Sequence, residues 1–198
     1  MRIGFDAERA FLNNTGLGNY ARDTIRGLSH YYQDNKYFLY TPKKEKNSRL
    51  SFLDQRTSTF IRTPQSLINK ALKTYWRSIS IVRDLFNNKI DIYHGLSNEL
   101  PLGIEKTSIK TVVTIHDLIF IRYPHLFRTI DRKIYYKKFK SSCDRANKII
   151  AVSQQTKQDI MDFFLIPEEK IEVVYQGCNK VFQDEISDKK KQETLAKY

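Results

Sequence analysis

The run Thr111-Val112-Val113-Thr114-Ile115, followed directly by His116-Asp117, is the stretch that decides the fold. Every residue of the run is β-branched, a composition typical of strands buried on both faces of a parallel sheet. Ile90–His94 is a second compact run of this kind, and it also ends in a histidine. Because parallel sheets bind ligands beyond the carboxyl ends of their strands, the polar residues after these runs are the first candidates for a site.

Strands and helices alternate on both sides of this stretch. The predicted strands are Met1–Asp6, Tyr37–Tyr40, Thr57–Arg62, Ile90–His94, Thr111–Ile115, Lys148–Val152 and Ile171–Tyr175. Helical spacing and capping serines predict helices after Gly18 and over Ser66–Phe86, Arg128–Ala146 and Ser153–Phe164. In the third of these, the inward residues would be Tyr135, Phe139, Ser142 and Ala146. The alternation predicts an α/β fold with a Rossmann-like open parallel sheet flanked by helices.

The composition is that of a globular protein with an anionic partner. Of its 198 residues, 34 are Lys or Arg and 22 are Asp or Glu, for a formal net charge of +12. Such a charge favours a phosphate, a nucleic acid or an acidic membrane face. No apolar run approaches the roughly 20 residues that span a bilayer, and the start of the chain lacks the pattern of a signal peptide. With Cys143 and Cys178 in no metal or redox pattern, we expect a cytoplasmic protein, at most peripheral on the inner face of the membrane.

A glycine-containing segment after the first strand is one candidate site. Ala7–Gly18 is predicted as a loop, in which Gly16 and Gly18, on either side of Leu17, would let the backbone approach a ligand closely. The helix that follows would aim its N-terminal amides at an anion. The spacing matches neither the dinucleotide-binding glycine motif nor a P-loop. From the residues alone, a flexible turn explains the segment as well as a ligand-binding loop does.

Further candidates lie at the ends of other strands. The imidazole of His116 could hydrogen-bond a sugar hydroxyl or donate to a phosphate with Asp117 orienting it, and a structural histidine explains the position equally well. At His94-Gly95 a structural role is favoured over ligand contact. Ser153 is first of all a helix cap, although exposed helix-start amides could also bind an anion.

The predicted helix Arg128–Ala146 carries many basic residues with aromatic residues between them. Such a helix can rest on anionic lipid or follow a phosphate backbone, and an ordinary solvated face is the alternative. Net charge alone favours nucleic acid, and the sequence holds no helix-turn-helix, zinc-finger or RNA-binding motif. We therefore expect no nucleic-acid partner; a non-catalytic nucleotide- or nucleic-acid-binding α/β domain is kept as the alternative function.

Taken in order, these segments resemble the N-terminal domain of family 4 glycosyltransferases of the GT-B fold. The resemblance rests on Met1–Asp6, Gly16–Arg22, Asp91–His94, Val113–Leu118 with Arg122–Pro124, Ala146–Ser153 with Thr156–Ile160, and Ile171–Asn179. The chain differs where the family commonly has Asn and Asp, since it has Gln176 and Asn179 there. The similarity is greatest to bacterial mannosyltransferases of surface polysaccharide synthesis.

The resemblance implies a retaining enzyme that moves a hexose from a nucleoside-diphosphate sugar to a glycan or lipid-linked acceptor. It implies that Gly16, Leu17 and Gly18 lie near the donor phosphates and the transferred sugar. His116 would contact the sugar or the acceptor, and Asp117 would support it. No metal and no cofactor are expected, because the nucleotide-sugar is a substrate and helix-start amides with basic side chains would stabilise the leaving diphosphate.

The same resemblance divides the protein into domains. Residues 1–179 are predicted to form the acceptor-side domain, in which His94, Gly95 and Ser153 are candidates for the acceptor site or the cleft. Residues 180–198 would be a polar linker towards a C-terminal domain, missing from this chain, that holds most of the nucleotide-sugar. Alone, the chain is expected to be inactive.

Overall fold

The computed structural model describes residues 1–45, 47–54, 57–177 and 185–197, and its centre is one parallel sheet. Seven strands of the described chain form this sheet in the order β3-β2-β1-β4-β5-β6-β7. Their bounds are β1 Arg2–Asp6, β2 Lys36–Tyr40, β3 Thr59–Arg62, β4 Ile92–Gly95, β5 Lys110–Ile115, β6 Lys148–Ala151 and β7 Ile171–Val173. The strand order changes direction beside β1, which is where open parallel sheets bind ligands.

Helices cover both faces of the sheet, but unequally. Their bounds are α1 Glu8–Leu12, α2 Gly16–Tyr31, α3 Leu67–Ala71, α4 Lys73–Tyr75, α5 Ile81–Asn87, α6 Ile119–Arg122, α7 Thr129–Arg145, α8 Gln154–Phe164 and α9 Asp188–Leu195. A π-helical segment, Trp76–Ser80, joins α4 to α5. Short 3-10 turns occupy Ser48–Leu53, Ile104–Lys106, Pro124–Leu126 and Glu168–Lys170.

Alternating side chains of the strands build two hydrophobic cores. One lies under α5, α7 and α8 and includes Val113, Ile149 and Phe164. The other lies under α1 and α2, over the β1–β2 half of the sheet, and includes Phe5 and Ile25. Over β5 and β6 this second face is only half covered, so Val112 and Ile150 line an open cleft.

The predicted fold class is confirmed, and each predicted strand is present with ends shifted by at most two residues. Two predicted helix caps are confirmed as well. The side chain of Ser66 accepts a hydrogen bond from the backbone N–H of Asn69, and that of Ser153 accepts one from Thr156. In both cases, a serine before an apolar helical repeat correctly predicted where a helix begins.

The prediction of a loop over Ala7–Gly18 is wrong. Helix α1 occupies Glu8–Leu12, and α2 begins at Gly16, so both glycines belong to its first turn. The side chain of Asn13 replaces the missing intrahelical acceptor, because its Oδ1 accepts from the backbone N–H groups of Thr15 at 2.9 Å and Gly18 at 3.2 Å. A helix start of this kind tolerates glycine because its amides are held by a side chain.

The predicted helix Ser66–Phe86 is interrupted, and one predicted inward residue of α7 faces outward. At Leu72 the backbone leaves the helical region, with φ −101° and ψ 64°, and helix resumes as α4 and the π segment. In α7, Ser142 and Ala146 are buried as predicted. Tyr135 is instead 39% exposed, with its ring packed against those of Phe120 and Phe139.

The end of the chain is described only in part. Cys178, Asn179 and the first residues of the predicted linker lie outside the described residues. Farther on, α9 occupies part of the segment that was predicted as a polar linker. Among the described residues we find no helix that is long and apolar enough to cross a bilayer.

Candidate functional site

The carboxyl ends of β1, β4 and β5 bring the candidate residues together. Pairing in register aligns Phe5 with His94, and His94 with Val112, so the last residues of these strands share one edge. His116 follows β5 immediately, and Ser153 begins α8 just after β6. The predicted strand-end residues His94, His116 and Ser153 therefore lie at the same edge of the sheet.

His116 is half-buried and held on several sides. Its Nε2 lies 2.9 Å from the carbonyl oxygen of Leu96, and its backbone N–H donates to Oδ1 of Asn98 at 2.9 Å. The rings of Tyr20 and His116 are perpendicular, at 90°, with centroids 4.7 Å apart. The side-chain amide of Gln176 lies 3.4 Å from Nδ1. These contacts fix the position and orientation of the ring.

The contacts of His116 also indicate which nitrogen of its ring carries the proton. A carbonyl oxygen can only accept, so Nε2 carries the proton and Nδ1 keeps a lone pair. Burial lowers the pKa of His116 below its ordinary value, which favours the neutral ring. A neutral ring in this tautomer can accept a hydrogen bond at Nδ1. The geometry therefore suits a hydroxyl group, which donates, better than a phosphate oxygen, which accepts.

His94 lies deeper, in a chain of hydrogen bonds. Its Nε2 is 2.8 Å from Oγ1 of Thr114, which is in turn 2.9 Å from the hydroxyl of Tyr20. Burial, together with a smaller effect of the neighbouring His116, lowers the pKa of His94 to about 4. His94 is therefore neutral at pH 7, and its bond to Thr114 ties β4 to β5.

A large open cleft of about 1540 Å³ starts at this edge and runs along α2. Its wall near the site includes Gly16, Asn19, Tyr20, His94 and Gln176, together with Arg49. Arg49 lies at the start of α2, where its Nη1 donates to the carbonyl oxygen of Asn14 at 3.1 Å. A cation beside the exposed Gly16, in the first turn of a helix, makes this end of the cleft suitable for an anion.

The two glycines have different surroundings. Gly16 is exposed, lines the cleft, and has open space where a Cβ would stand. Gly18 is buried against the end of α1, where a Cβ would meet the backbone oxygen of Asn13 at 1.9 Å. Leu17 between them is half-buried. Of the predicted trio, Gly16 is thus open to a ligand, whereas Gly18 allows close packing of α1 on α2.

The remaining candidates have local partners. Oδ1 of the exposed Asp117 accepts from the backbone N–H of Ile119 at 3.3 Å, which shapes the turn into α6. A Cβ on Gly95 would meet the backbone oxygen of Glu99 at 2.1 Å, so this position requires glycine for packing. Ser153 caps α8, and Thr156 of that first turn donates to the backbone oxygen of His116 at 3.2 Å.

A buried ion cluster at the same edge was not predicted. Asp6, at the end of β1, pairs with Nη2 of Arg77 at 2.7 Å on the face opposite to α2. Arg77 also meets Glu8 at 2.9 Å and Glu99 at 3.4 Å, and Glu99 pairs with Lys138 of α7 at 3.2 Å. Burial alone would lower the pKa of Arg77, but the carboxylates of Asp6, Glu99 and Glu8 together more than offset this effect and raise the pKa. The cluster joins strand ends to two helices.

Sequence reasoning also missed Tyr20, Asn98 and Gln176 as partners of His116. Asn98 adopts a positive φ of 63°, which Asn tolerates better than most residues, and this turns its side chain towards the end of β5. An Asn three residues after a strand-end glycine is a sequence signal that could have identified Asn98. The contacts of Tyr20 and Gln176 with His116 depend on tertiary packing and have no such signal. In the described part of the chain, no group of three His, Cys, Asp or Glu residues converges as metal ligands would.

An open parallel sheet whose order reverses beside β1, with polar side chains and a cleft at its carboxyl edge, defines a Rossmann-like α/β domain. The sequence model named Glycosyltransferase Family 4 matches residues 14–180. The chain belongs to this family, and the resemblance seen in the sequence is confirmed.

Individual relatives agree with this assignment. The O-antigen chain mannosyltransferase RfbU of Salmonella typhimurium is 28% identical over 120 residues, which is 60% of this chain and 31% of RfbU. A glycosyltransferase from Rickettsia africae superposes with a TM-score of 0.56 at 15% identity, over 100% of this chain and 49% of the other. Anabaena Alr3699/HepE, solved with UDP and glucose, gives 0.59 at 13% identity over 98% and 50%. The chain thus spans about half the length of the solved structures it matches.

Proposed function

We propose that this chain is the acceptor-side half of a retaining glycosyltransferase, which moves a hexose from a nucleoside-diphosphate sugar to a glycan or lipid-linked acceptor in surface polysaccharide synthesis. The observation that carries the proposal is the neutral, half-buried imidazole of His116, which contacts Tyr20 and Gln176 in the wall of the cleft that also includes Gly16 and Arg49. The RfbU relative favours mannose as the sugar. The UDP bound by the Anabaena protein favours a nucleotide-linked donor.

In this proposal His116 recognises a hydroxyl group of the sugar or of the acceptor. Gln176 now donates to Nδ1, so it would turn away and let a hydroxyl donate in its place. The carboxylate of Asp117 favours positive charge on the ring, which helps the imidazole accept a proton or a hydrogen bond. His94, Gly95 and Ser153 would shape and support this part of the cleft.

The donor phosphates would lie at the start of α2. Gly16 leaves room for close approach, Leu17 and Gly18 continue the same first turn, and Arg49 adds positive charge. A second, donor-binding half would supply most of the nucleotide contacts across the cleft. Helix-start amides and basic side chains would stabilise the negative charge of the leaving diphosphate, without a metal or another cofactor. The protein would work in the cytoplasm, at the surface of an anionic membrane that carries the acceptor lipid.

The test measures hexose transfer by the full-length protein that contains this chain, with His116→Ala beside the wild type. Loss of a hydrogen bond to the reacting sugar should lower kcat/KM by about 10- to 100-fold. His125→Ala is the matched control, because His125 is an exposed histidine outside the cleft lining. Full transfer activity in His116→Ala would exclude His116 from the mechanism.

A further inference from the structure

The turn that follows β4 contains an uncommon backbone conformation. Asn98 adopts a φ of 63°, in the left-handed region that residues other than glycine rarely occupy. Within the described chain, the other two non-glycine residues with a positive φ are Lys89 and Leu165. Both lie within two residues of the end of a helix, where this conformation is common. Asn98 lies between two strands instead, so its conformation has a different cause.

A second unfavourable feature lies next to Asn98. Ser97 is 6% exposed, and its buried Oγ has no hydrogen-bond partner among the described residues. A buried hydroxyl without a partner and a left-handed backbone at a residue with a side chain both raise the free energy of the folded state. Such features persist where neighbouring contacts hold them, and they cluster at active sites. We call residues 96–98 the β4 turn and ask what holds it.

The β4 turn is bonded to the end of β5 and to His116. The backbone N–H of Asn98 donates to the carbonyl oxygen of Thr114 at 2.9 Å. Its side-chain Oδ1 accepts from the backbone N–H of His116 at 2.9 Å. The carbonyl oxygen of Leu96 accepts from Nε2 of the same histidine at 2.9 Å. Asn98 therefore reaches β5 with its main chain and His116 with its side chain.

These contacts fix both the backbone and the ring of His116. The bond from Asn98 holds the peptide group on the amino side of the histidine, and the bond from Leu96 holds Nε2. On the carboxyl side, Oγ1 of Thr156 donates to the carbonyl oxygen of His116 at 3.2 Å. Nδ1 therefore stays beside Gln176, which lines the cleft. Such control matters for a reaction, because a misplacement of about 1 Å can lower its rate by about 100-fold.

We propose that Asn98 is a positioning residue for hexose transfer, which holds His116 so that the lone pair of Nδ1 meets a substrate hydroxyl. This inference rests on the proposed function, in which that lone pair accepts a hydrogen bond. Asparagine suits the position because it tolerates a positive φ and also carries an acceptor oxygen. Aspartate supplies both properties, whereas glycine supplies only the first. These substitutions therefore separate the backbone conformation from the hydrogen bond.

The first experiment labels the histidines of the full-length protein with ¹⁵N and records their ring signals at pH 8 without substrate, where the imidazole of His116 is neutral. His116→Ala identifies the signals of this ring. In Asn98→Gly the signals should shift or broaden, because the peptide group that carries the ring is no longer held. In Asn98→Asp they should keep the tautomer of the wild type. Lys89→Gly is the matched control: it also replaces a left-handed residue by glycine, and it should leave the signals unchanged.

Transfer kinetics then test whether Asn98 acts through His116. Asn98→Gly should lower kcat/KM by about tenfold, whereas Asn98→Asp should stay within about threefold of the wild type. In a protein that already carries His116→Ala, adding Asn98→Gly should lower kcat/KM by less than about twofold, because no imidazole is left to position. A purely structural role would make the two losses multiply.

Unchanged His116 signals in Asn98→Gly, or losses that multiply in the double variant, would overturn the inference. Urea unfolding verifies that each variant folds. Asn98→Ser, whose side chain is one bond shorter, replaces the glycine variant if that one does not fold. Normal transfer by His116→Ala would count against the proposed function instead, and the ring signals would still show whether Asn98 holds the histidine.

Discussion

At the scale of single residues, His94 shows how burial turns a titratable side chain into a structural one. Its ring is enclosed between β4 and β5 and bonded to Thr114, and its pKa falls to about 4. In the unfolded chain a histidine has a pKa of about 6.5. Below pH 6.5 the unfolded state binds a proton that the folded state does not bind, so the free energy of unfolding falls as the pH falls.

The first prediction concerns this pH dependence. Lowering the pH from 7 to 5 should lower the free energy of unfolding by about 2 kcal/mol because of His94. Below the folded-state pKa of His94 no further loss arises from this residue. Urea unfolding at both pH values measures the loss. His94→Gln, which keeps a group able to bond Thr114, should lose about 2 kcal/mol less than the wild type over the same interval. His116 shifts in the same direction and stays in both proteins, so an equal loss in both would contradict the assignment to His94.

At the scale of elements, the first turn of α2 contains one glycine that serves packing and another that is open to a ligand. The two glycines of its first turn look equivalent in sequence, yet Gly18 touches the backbone of Asn13 and Gly16 faces the cleft. Arg22, which is 2% exposed, strengthens the same junction by donating from Nη1 to the carbonyl oxygens of Ala10 and Asn13, both at 2.8 Å. The junction between α1 and α2 is therefore a rigid base for the amides next to the cleft.

Paired glycine substitutions test this difference. Gly18→Ala should lower the free energy of unfolding by about 1–3 kcal/mol, because the backbone it meets has to move. Gly16→Ala should leave stability unchanged or raise it by up to about 1 kcal/mol, as alanine favours helix. Chemical denaturation measures both. A Gly16→Ala protein that is stable but binds the nucleotide-sugar more weakly would support donor contact at this turn. Equal tolerance of both substitutions would contradict the packing described for Gly18.

Elements also show how far the sequence could be used alone. Runs such as Thr111–Ile115 and capping residues such as Ser153 predicted strands and helix starts, because burial on both faces and capping are local effects. The helix α1 was missed because its five residues lack enough turns for a periodic pattern. The break at Leu72 was missed because nothing in the apolar spacing of Ser66–Phe86 marks it. His116 was found as a strand-end residue, but its bond to Leu96 depends on how β4 and β5 pair.

At the scale of the whole molecule, the ion cluster around Arg77 is the part that sequence could least predict. Asp6 and Arg77 are 71 positions apart, and only the parallel pairing of the sheet brings the end of β1 to the π-helical segment. Through Glu99 and Lys138 the same cluster reaches α7. It therefore fixes the helical layer to the edge of the sheet at which the cleft begins.

Removal of Arg77 should therefore weaken the whole fold. Arg77→Met leaves Asp6, whose side chain is 4% exposed, as a buried charge without its cation, and should cost about 3–5 kcal/mol in urea unfolding. That is a large part of the roughly 5–15 kcal/mol that stabilises a typical domain. Lys138→Met, in the same cluster but with a side chain 45% exposed, should cost less than about 1 kcal/mol. Adding Asp6→Asn to Arg77→Met should recover part of the loss, because the remaining buried group is then neutral. Equal, small losses for Arg77→Met and Lys138→Met would mean that the cluster does not hold the helical layer to the sheet.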